Sequence, residues 1–179
     1  MKLILCDEQG KQTDEATATW EEAHESPGKL HRAFSVYLFR DGMKELLVQR
    51  RSAEKPLWPR IIANTCCSHP RVGQTEEEVA PTRLMEECGI ESPDLTVHST
   101  LVYQAESPNE AGAEYEFVTL LTGEVEGDIA MKPDPDEVES LEWRKIDDLL
   151  QDMVLNPENY AVWFRLGLRQ VLNLTTSDE

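Results

Sequence analysis

Asn64-Thr65-Cys66-Cys67-Ser68-His69-Pro70 puts two thiols close to an imidazole. In an extended segment residues i and i+2 point the same way, so Cys67, rather than Cys66, shares a side with His69. Two further histidines, His24 and His31, flank Pro27-Gly28. That pair breaks any continuous helix, which leaves both histidines on a loop able to fold back toward one point. Glu114 and Glu116 open a strand whose same face continues with Val118 and Leu120. Carboxylates at such an apolar boundary require a cation or a proton. Together His24, His31, His69, Glu114 and Glu116 form a candidate set of N/O ligands for Mn²⁺, Mg²⁺ or Zn²⁺. More than four ligands favour octahedral geometry over a closed tetrahedral zinc site. Arg50-Arg51, with Lys55 close behind, reverses the local field of an acidic chain and makes a candidate anion site.

The elements that must position these groups follow from pattern. Residues 3–7 read as a short strand and 33–39 as a longer one. The latter is returned by 45–50 through a hairpin at Asp41-Gly42. Residues 13–23 are polar with a helical hint. Thr75 caps a helix with acids in its first turn, running to about Cys88 and closed by Gly89. Arg83 and Glu87 share a face of it, and Pro81 predicts an irregular or late-starting first turn. Two strands follow at 97–105 and 115–122, then a turn at Asp134-Pro135-Asp136, a strand at 138–143 and a helix over 146–155. Asn156 as N-cap with Pro157 at the first position starts a terminal helix to about Leu174. Its Tyr160, Trp163, Phe164, Leu168, Val171 and Leu172 form a core-facing stripe. Residues 1–174 are expected to form one domain, and 175–179 a disordered tail.

Composition narrows the function. Among 179 residues, 35 acids against 17 bases give a net charge of -18 and a pI near 4.5. Such a surface repels nucleic acid and anionic membrane, and it suits high salt, where screening relieves the self-repulsion. No apolar run reaches the ~18–20 residues of a membrane span, and the opening residues turn acidic too soon for a signal peptide. A cytoplasmic protein with four free thiols is expected.

Further motifs occur in a fixed order: His24-x6-His31, Arg50-Arg51-x3-Lys55-x2-Trp58-Pro59, Asn64-Thr65-x-Cys67-x-His69-Pro70, Leu84-x-Glu86-Glu87-x-Gly89, Tyr103, Glu114-x-Glu116 and Trp163-Phe164. In these the chain resembles the type I isopentenyl-diphosphate isomerases, from about Leu3 to Leu172. The resemblance implies an α+β fold, a Nudix-like α/β/α sandwich with mixed sheets flanked by helices. It also implies conversion of isopentenyl to dimethylallyl diphosphate through a tertiary carbocation. It assigns the acid/base pair to Cys67 and Glu116, with Tyr103 beside Glu116 and the ring of Trp163 facing the cation. It assigns one divalent metal to His24, His31, His69, Glu114 and Glu116, and a diphosphate-bound Mg²⁺ to Glu87. Arg51, Lys55 and Arg83 would hold the diphosphate, a small allylic or homoallylic ligand, in a monomer or weak homodimer. Gln74, Thr82 and Arg83 stand where a Nudix hydrolase carries glutamate, arginine and glutamate. That loss argues against the alternative of a diphosphate hydrolase and suits an isomerase; a second alternative, a catalytically silent metal-binding domain of the same fold, predicts that Cys67→Ser leaves function untouched.

Overall fold

The computed structural model describes residues 2–174, so the tail over 175–179 lies outside it. Its centre is strand β3 (His31–Arg40), of which residues 33–39 are almost all buried. Period-2 alternation divides that strand between two cores. Tyr37 and Phe39 pack on one face with Leu149, Phe164 and Leu168, while Phe34, Val36 and Leu38 pack on the other with Val79, Leu84 and Cys88. Burying side chains of this size contributes about 1.5–3 kcal/mol each. An apolar strand with both faces covered therefore fixes a three-layer arrangement, helix, sheet, helix.

β3 is flanked along its length by β8 (Ala113–Glu124), parallel and with His31 opposite Glu116. On its other side lie β1 (Lys2–Cys6), β4 (Glu45–Arg51) and the short β6 (Cys66–Ser68), the last antiparallel with Ser35 opposite Cys67. β7 (Thr96–Glu106) pairs β8, β9 (Val138–Lys145) and β5 (Ile62–Ala63) pair β4, and β2 (Gln12–Thr19) pairs β1. The expected α+β fold with a mixed sheet between helices is found.

Four local expectations are corrected. Residues 13–23 are mainly strand: β2 extends antiparallel to β1, and only α1 (Trp20–His24) is helical, begun by a capping box between Thr19 and Glu22. Pairing with β1 satisfies more backbone than a five-residue helix could. His24 and His31 consequently sit at the end of α1 and the start of β3, with the Pro27-Gly28 loop between them. In α2 (Glu76–Arg83) the first turn is regular, with a capping box between Thr75 and Glu78. The irregularity comes after Pro81, as a π-helical turn Leu84–Cys88. Gly89 ends it at φ 63, where a Cβ would meet the Lys132 carbonyl at 2.3 Å. The terminal helix α4 (Val162–Val171) starts later than Asn156. Asn156 donates its amide to Asp152 (2.8 Å), Pro157–Asn159 form a 3-10 turn, and Tyr160 is extended. Ala161 N–H then bonds the Ile62 carbonyl (2.9 Å). α3 (Ile146–Leu155) lies where expected, and no helix of the described residues is long and apolar enough to cross a membrane.

Candidate active site

A cavity of about 250 Å³ opens against β3, between α1, the segment after β4, the π-helical turn and the start of α4. Every residue expected to act in catalysis, diphosphate binding or metal binding on the strength of the resemblance lines it except His31, which is fully buried, whereas Arg50 of the candidate anion site is exposed and donates to the Arg60 carbonyl instead. Two of the strands that flank β3 supply the residues expected as the acid/base pair, Glu116 from β8 and Cys67 from β6. The period of two keeps Cys67 on the cavity wall and sends Cys66 into the opposite core, fully buried.

One ligand atom from each of His24, His31, His69 and Glu116 lies within 4.8 Å of the others. His24 Nδ1–H donates to the Trp20 carbonyl (2.8 Å) and His31 Nδ1–H to the Lys29 carbonyl (2.7 Å). A carbonyl only accepts, so each ring carries a proton on Nδ1 and turns its Nε2 inward, that of His31 lying 3.2 Å from His69 Nε2, the usual orientation behind a metal-ligating imidazole. Trp20 also stacks on His24, ring centroids 4.3 Å apart. Burial pulls His24 down to about 4 and lowers His69 as well, which keeps both neutral and ready to ligate. Burial works to raise Glu116, but its contacts with the neighbouring His31 and His69 rings outweigh it and hold the carboxylate well below its usual range. His69 Nε2 is 2.9 Å from Glu116 Oε1. Three imidazoles and one ionised carboxylate, converging at one point, fit a divalent cation.

Glu114, expected as the fifth ligand, stands apart from that foursome in this structure. Tyr103 Oη lies 2.5 Å from Glu114 Oε2 and 2.8 Å from Glu116 Oε2. One hydroxyl proton cannot serve two carboxylates, so one carboxyl must carry a proton of its own. Burial, reinforced by the charge of Glu116, pushes Glu114 up to about 8, which makes it the protonated one.

Cys67 is held from two sides. Its thiol donates to Asn64 Oδ1 (3.1 Å) and contacts Ser35 Oγ (3.3 Å). The Asn64 amide cannot flip, because its Nδ2 donates to the Val36 and Cys66 carbonyls (3.1 and 3.0 Å). Burial pushes the Cys67 thiol up to about 12, so at neutral pH it is a thiol rather than a thiolate.

The cations gather at another part of the wall. Arg51 donates to the Trp58 and Leu57 carbonyls (3.2 and 3.0 Å), and its guanidinium carbon is 5.6 Å from the Trp163 ring centroid. Lys55 and Arg83 are already paired: Lys55 with Glu137 at 2.5 Å, Arg83 with Glu86 at 2.6 Å and with Glu87 at 2.5 Å. Burial raises Glu87, and Arg83 pulls it back. Trp163 is buried against Trp58 and Tyr103, and its Nε1–H has no hydrogen-bond partner among the described residues. Ser35, Asn64 as a partner of the thiol, and Glu137 were not read as site residues. Ser35 left a signal, a lone hydroxyl in an apolar strand, whereas Glu137 left none, being 82 residues from Lys55.

Residues 29–164 match the NUDIX domain family. An isopentenyl-diphosphate Delta-isomerase of Nocardia farcinica is 38% identical over 163 residues, covering 91% of this chain and 90% of that one. One of Aliivibrio fischeri is 38% identical over 177 residues, covering 95% and 94%. Among solved structures, a Deinococcus radiodurans protein superposes with TM-score 0.69 at 18% identity, over 94% of this chain and 98% of that one. A MutT NUDIX hydrolase from Burkholderia pseudomallei does so with TM-score 0.62 at 18% identity, over 80% and 98%. At that identity the structural likeness speaks to fold alone.

Proposed function

We propose how these residues act from the premise that this chain belongs to the isopentenyl-diphosphate Delta-isomerase family. It is an isomerase that converts isopentenyl diphosphate to dimethylallyl diphosphate. An isolated alkene is a poor base, so the reaction needs a positioned acid, a positioned base and a surface that tolerates a tertiary carbocation.

At rest Cys67 carries its proton and Glu116 does not. In the forward direction the Cys67 thiol adds H⁺ to C4 of the substrate, leaving a cation at C3, and Glu116 removes H⁺ from C2 to form the new double bond. The proton then returns from Glu116 to the Cys67 thiolate, with Tyr103 hydrogen-bonded to the carboxylate in the interval. The reverse reaction exchanges the roles. Trp163 presents a π face, which stabilises a cation by about 0.5–2 kcal/mol without forming a bond to it. Arg51, Lys55 and Arg83 take the diphosphate, and carbonyl bonds to the Arg51 guanidinium keep its fork oriented.

His24, His31, His69 and Glu116, with Glu114 once it gives up its proton, would hold Mn²⁺, Mg²⁺ or Zn²⁺, and Glu87 a Mg²⁺ accompanying the diphosphate. When bound, these ions supply positive charge that keeps carboxylates ionised and offsets the phosphates. The protein is read as a monomer or weak homodimer built on a single domain over 1–174. The net charge of -18 supports a cytoplasmic enzyme adapted to high salt.

The observation that carries the reading is the placement of Cys67 and Glu116 on strands either side of β3, on the wall of one cavity that also holds three cations. The test is purified protein with isopentenyl diphosphate and Mg²⁺. Dimethylallyl diphosphate without phosphate release is expected, and phosphate without the isomer would sink the reading.

A further inference from the structure

Glu137 has no part in the reaction described above, yet three segments of the site meet on it. It precedes β9, closing a turn in which Val138 N–H donates to the Asp134 carbonyl (2.8 Å). That turn is strapped on both sides. Asp134 N–H donates to the Glu87 carbonyl (2.9 Å), and Ser52 N–H donates to the carbonyl of Glu137 itself (3.0 Å). Its side chain then faces the cavity with one oxygen for each of two cations: Oε2 accepts from Lys55 Nζ at 2.5 Å, and Oε1 lies 3.6 Å from Arg83 Nη2. The two cations come from unrelated places, Lys55 from the irregular stretch after β4 and Arg83 from the last residue of α2.

Two long, like-charged side chains brought together in this way repel each other. Arg83 also has competing partners in Glu86 and Glu87. A carboxylate fixed by its own backbone and shared between them removes the repulsion and selects one rotamer of each. We propose that Glu137 is a positioning residue, which holds Lys55 and Arg83 side by side as one preformed cradle for the substrate's diphosphate. This rests on the reading that those cations take the diphosphate. Loss of Glu137 has two consequences of opposite sign. It adds net positive charge, which draws an anion in, and it frees the Lys55 side chain and leaves Arg83 to Glu86 and Glu87, so that binding must bring the two cations together again. The ordering cost dominates, because among the described residues the Lys55 ammonium has no other hydrogen-bond partner, and the remaining partners of Arg83, Glu86 and Glu87, make no ion pair with Lys55.

The experiment uses inorganic pyrophosphate with Mg²⁺ as the binding probe and isopentenyl diphosphate as substrate. Glu137→Ala is expected to weaken pyrophosphate binding by about 10-fold and to raise KM by a similar factor, with kcat within about threefold of wild type. Glu137→Gln keeps an acceptor for Lys55 and falls between, and it carries the test if Glu137→Ala does not fold. Pyrophosphate bound as tightly or more tightly by the variants would mean that Glu137 only competes with the ligand, and overturns the proposal. A fall in kcat at constant KM overturns it too. A wild-type protein without isomerase activity would instead sink the underlying reading, whereas an active wild type with unchanged binding in the variants sinks only the role of Glu137.

Discussion

The two ends of the cavity are built differently. At the end proposed for proton transfer, His31, Cys67, Tyr103 and Glu116 sit on adjacent paired strands, His24 and His31 are oriented by backbone carbonyls, and Cys67 by the Asn64 amide. At the diphosphate end, Lys55, Arg83, Glu87 and Glu137 come from a loop, a helix terminus, a π-helical turn and a turn, and they orient one another through ion pairs. Groups held by a sheet have little freedom to move away when one partner is changed. Groups held by ion pairs do, so damage at the diphosphate end should spread among neighbours and appear in binding, while damage at the other end should stay local and appear in turnover.

The largest effect is expected for Glu116→Gln, which keeps the shape and removes the base: kcat should fall by about 10²–10⁴-fold or more while pyrophosphate affinity stays near wild type. Steady-state kinetics beside a pyrophosphate titration checks this, and a change mainly in KM would erase the distinction between the ends. Next in size is a pH effect on stability in metal-free protein. Glu114 has its folded pKa raised to about 8 by burial and by the Glu116 charge, so its contribution is fully present below the unfolded value near ~4.5 and is lost as pH rises through 8. Glu114→Gln mimics the protonated form and should gain on wild type by up to a few kcal/mol between those limits, read by urea unfolding at several pH values. A difference that does not grow with pH would mean Glu114 is ionised in the metal-free fold. Arg83→Ala should raise KM by roughly 10–100-fold, the worth of about 1.5–3 kcal/mol for a charged hydrogen bond, with a smaller change in kcat. Smallest is salt: with a net charge of -18, the unfolding midpoint should rise from low to molar KCl, and a flat response would remove the case for salt adaptation.

The same contrast decides what the sequence made legible. Strand periodicity alone separates Cys67 from Cys66 and puts Glu114 and Glu116 on a buried face, because a strand fixes side-chain direction to one of two sides. It cannot say which strands are neighbours, so the contact of Ser35 with Cys67 emerges only from the register of β3 with β6. Nor can it say that the Tyr103 hydroxyl contacts both glutamates, or that Glu114 lies outside the cluster of His24, His31, His69 and Glu116. Boundaries failed where tertiary partners overrode local signals. Asn156-Pro157 reads as a helix start, yet Asp152 takes the asparagine amide and Ile62 takes the Ala161 N–H, and the helix bearing Trp163 begins at Val162. The diphosphate end was legible as cations and illegible as a network, since an ion pair such as Lys55 with Glu137 leaves no periodic trace along the chain.

The claim that matters most is that the thiol facing the cavity moves the proton, and the paired variants Cys67→Ala and Cys66→Ala test it directly. Cys67→Ala should abolish isomerisation of isopentenyl diphosphate while the protein stays folded. Cys66→Ala, buried in the opposite core, should keep kcat within a few-fold and cost about 1 kcal/mol of stability. Activity retained in Cys67→Ala and lost in Cys66→Ala would contradict the account.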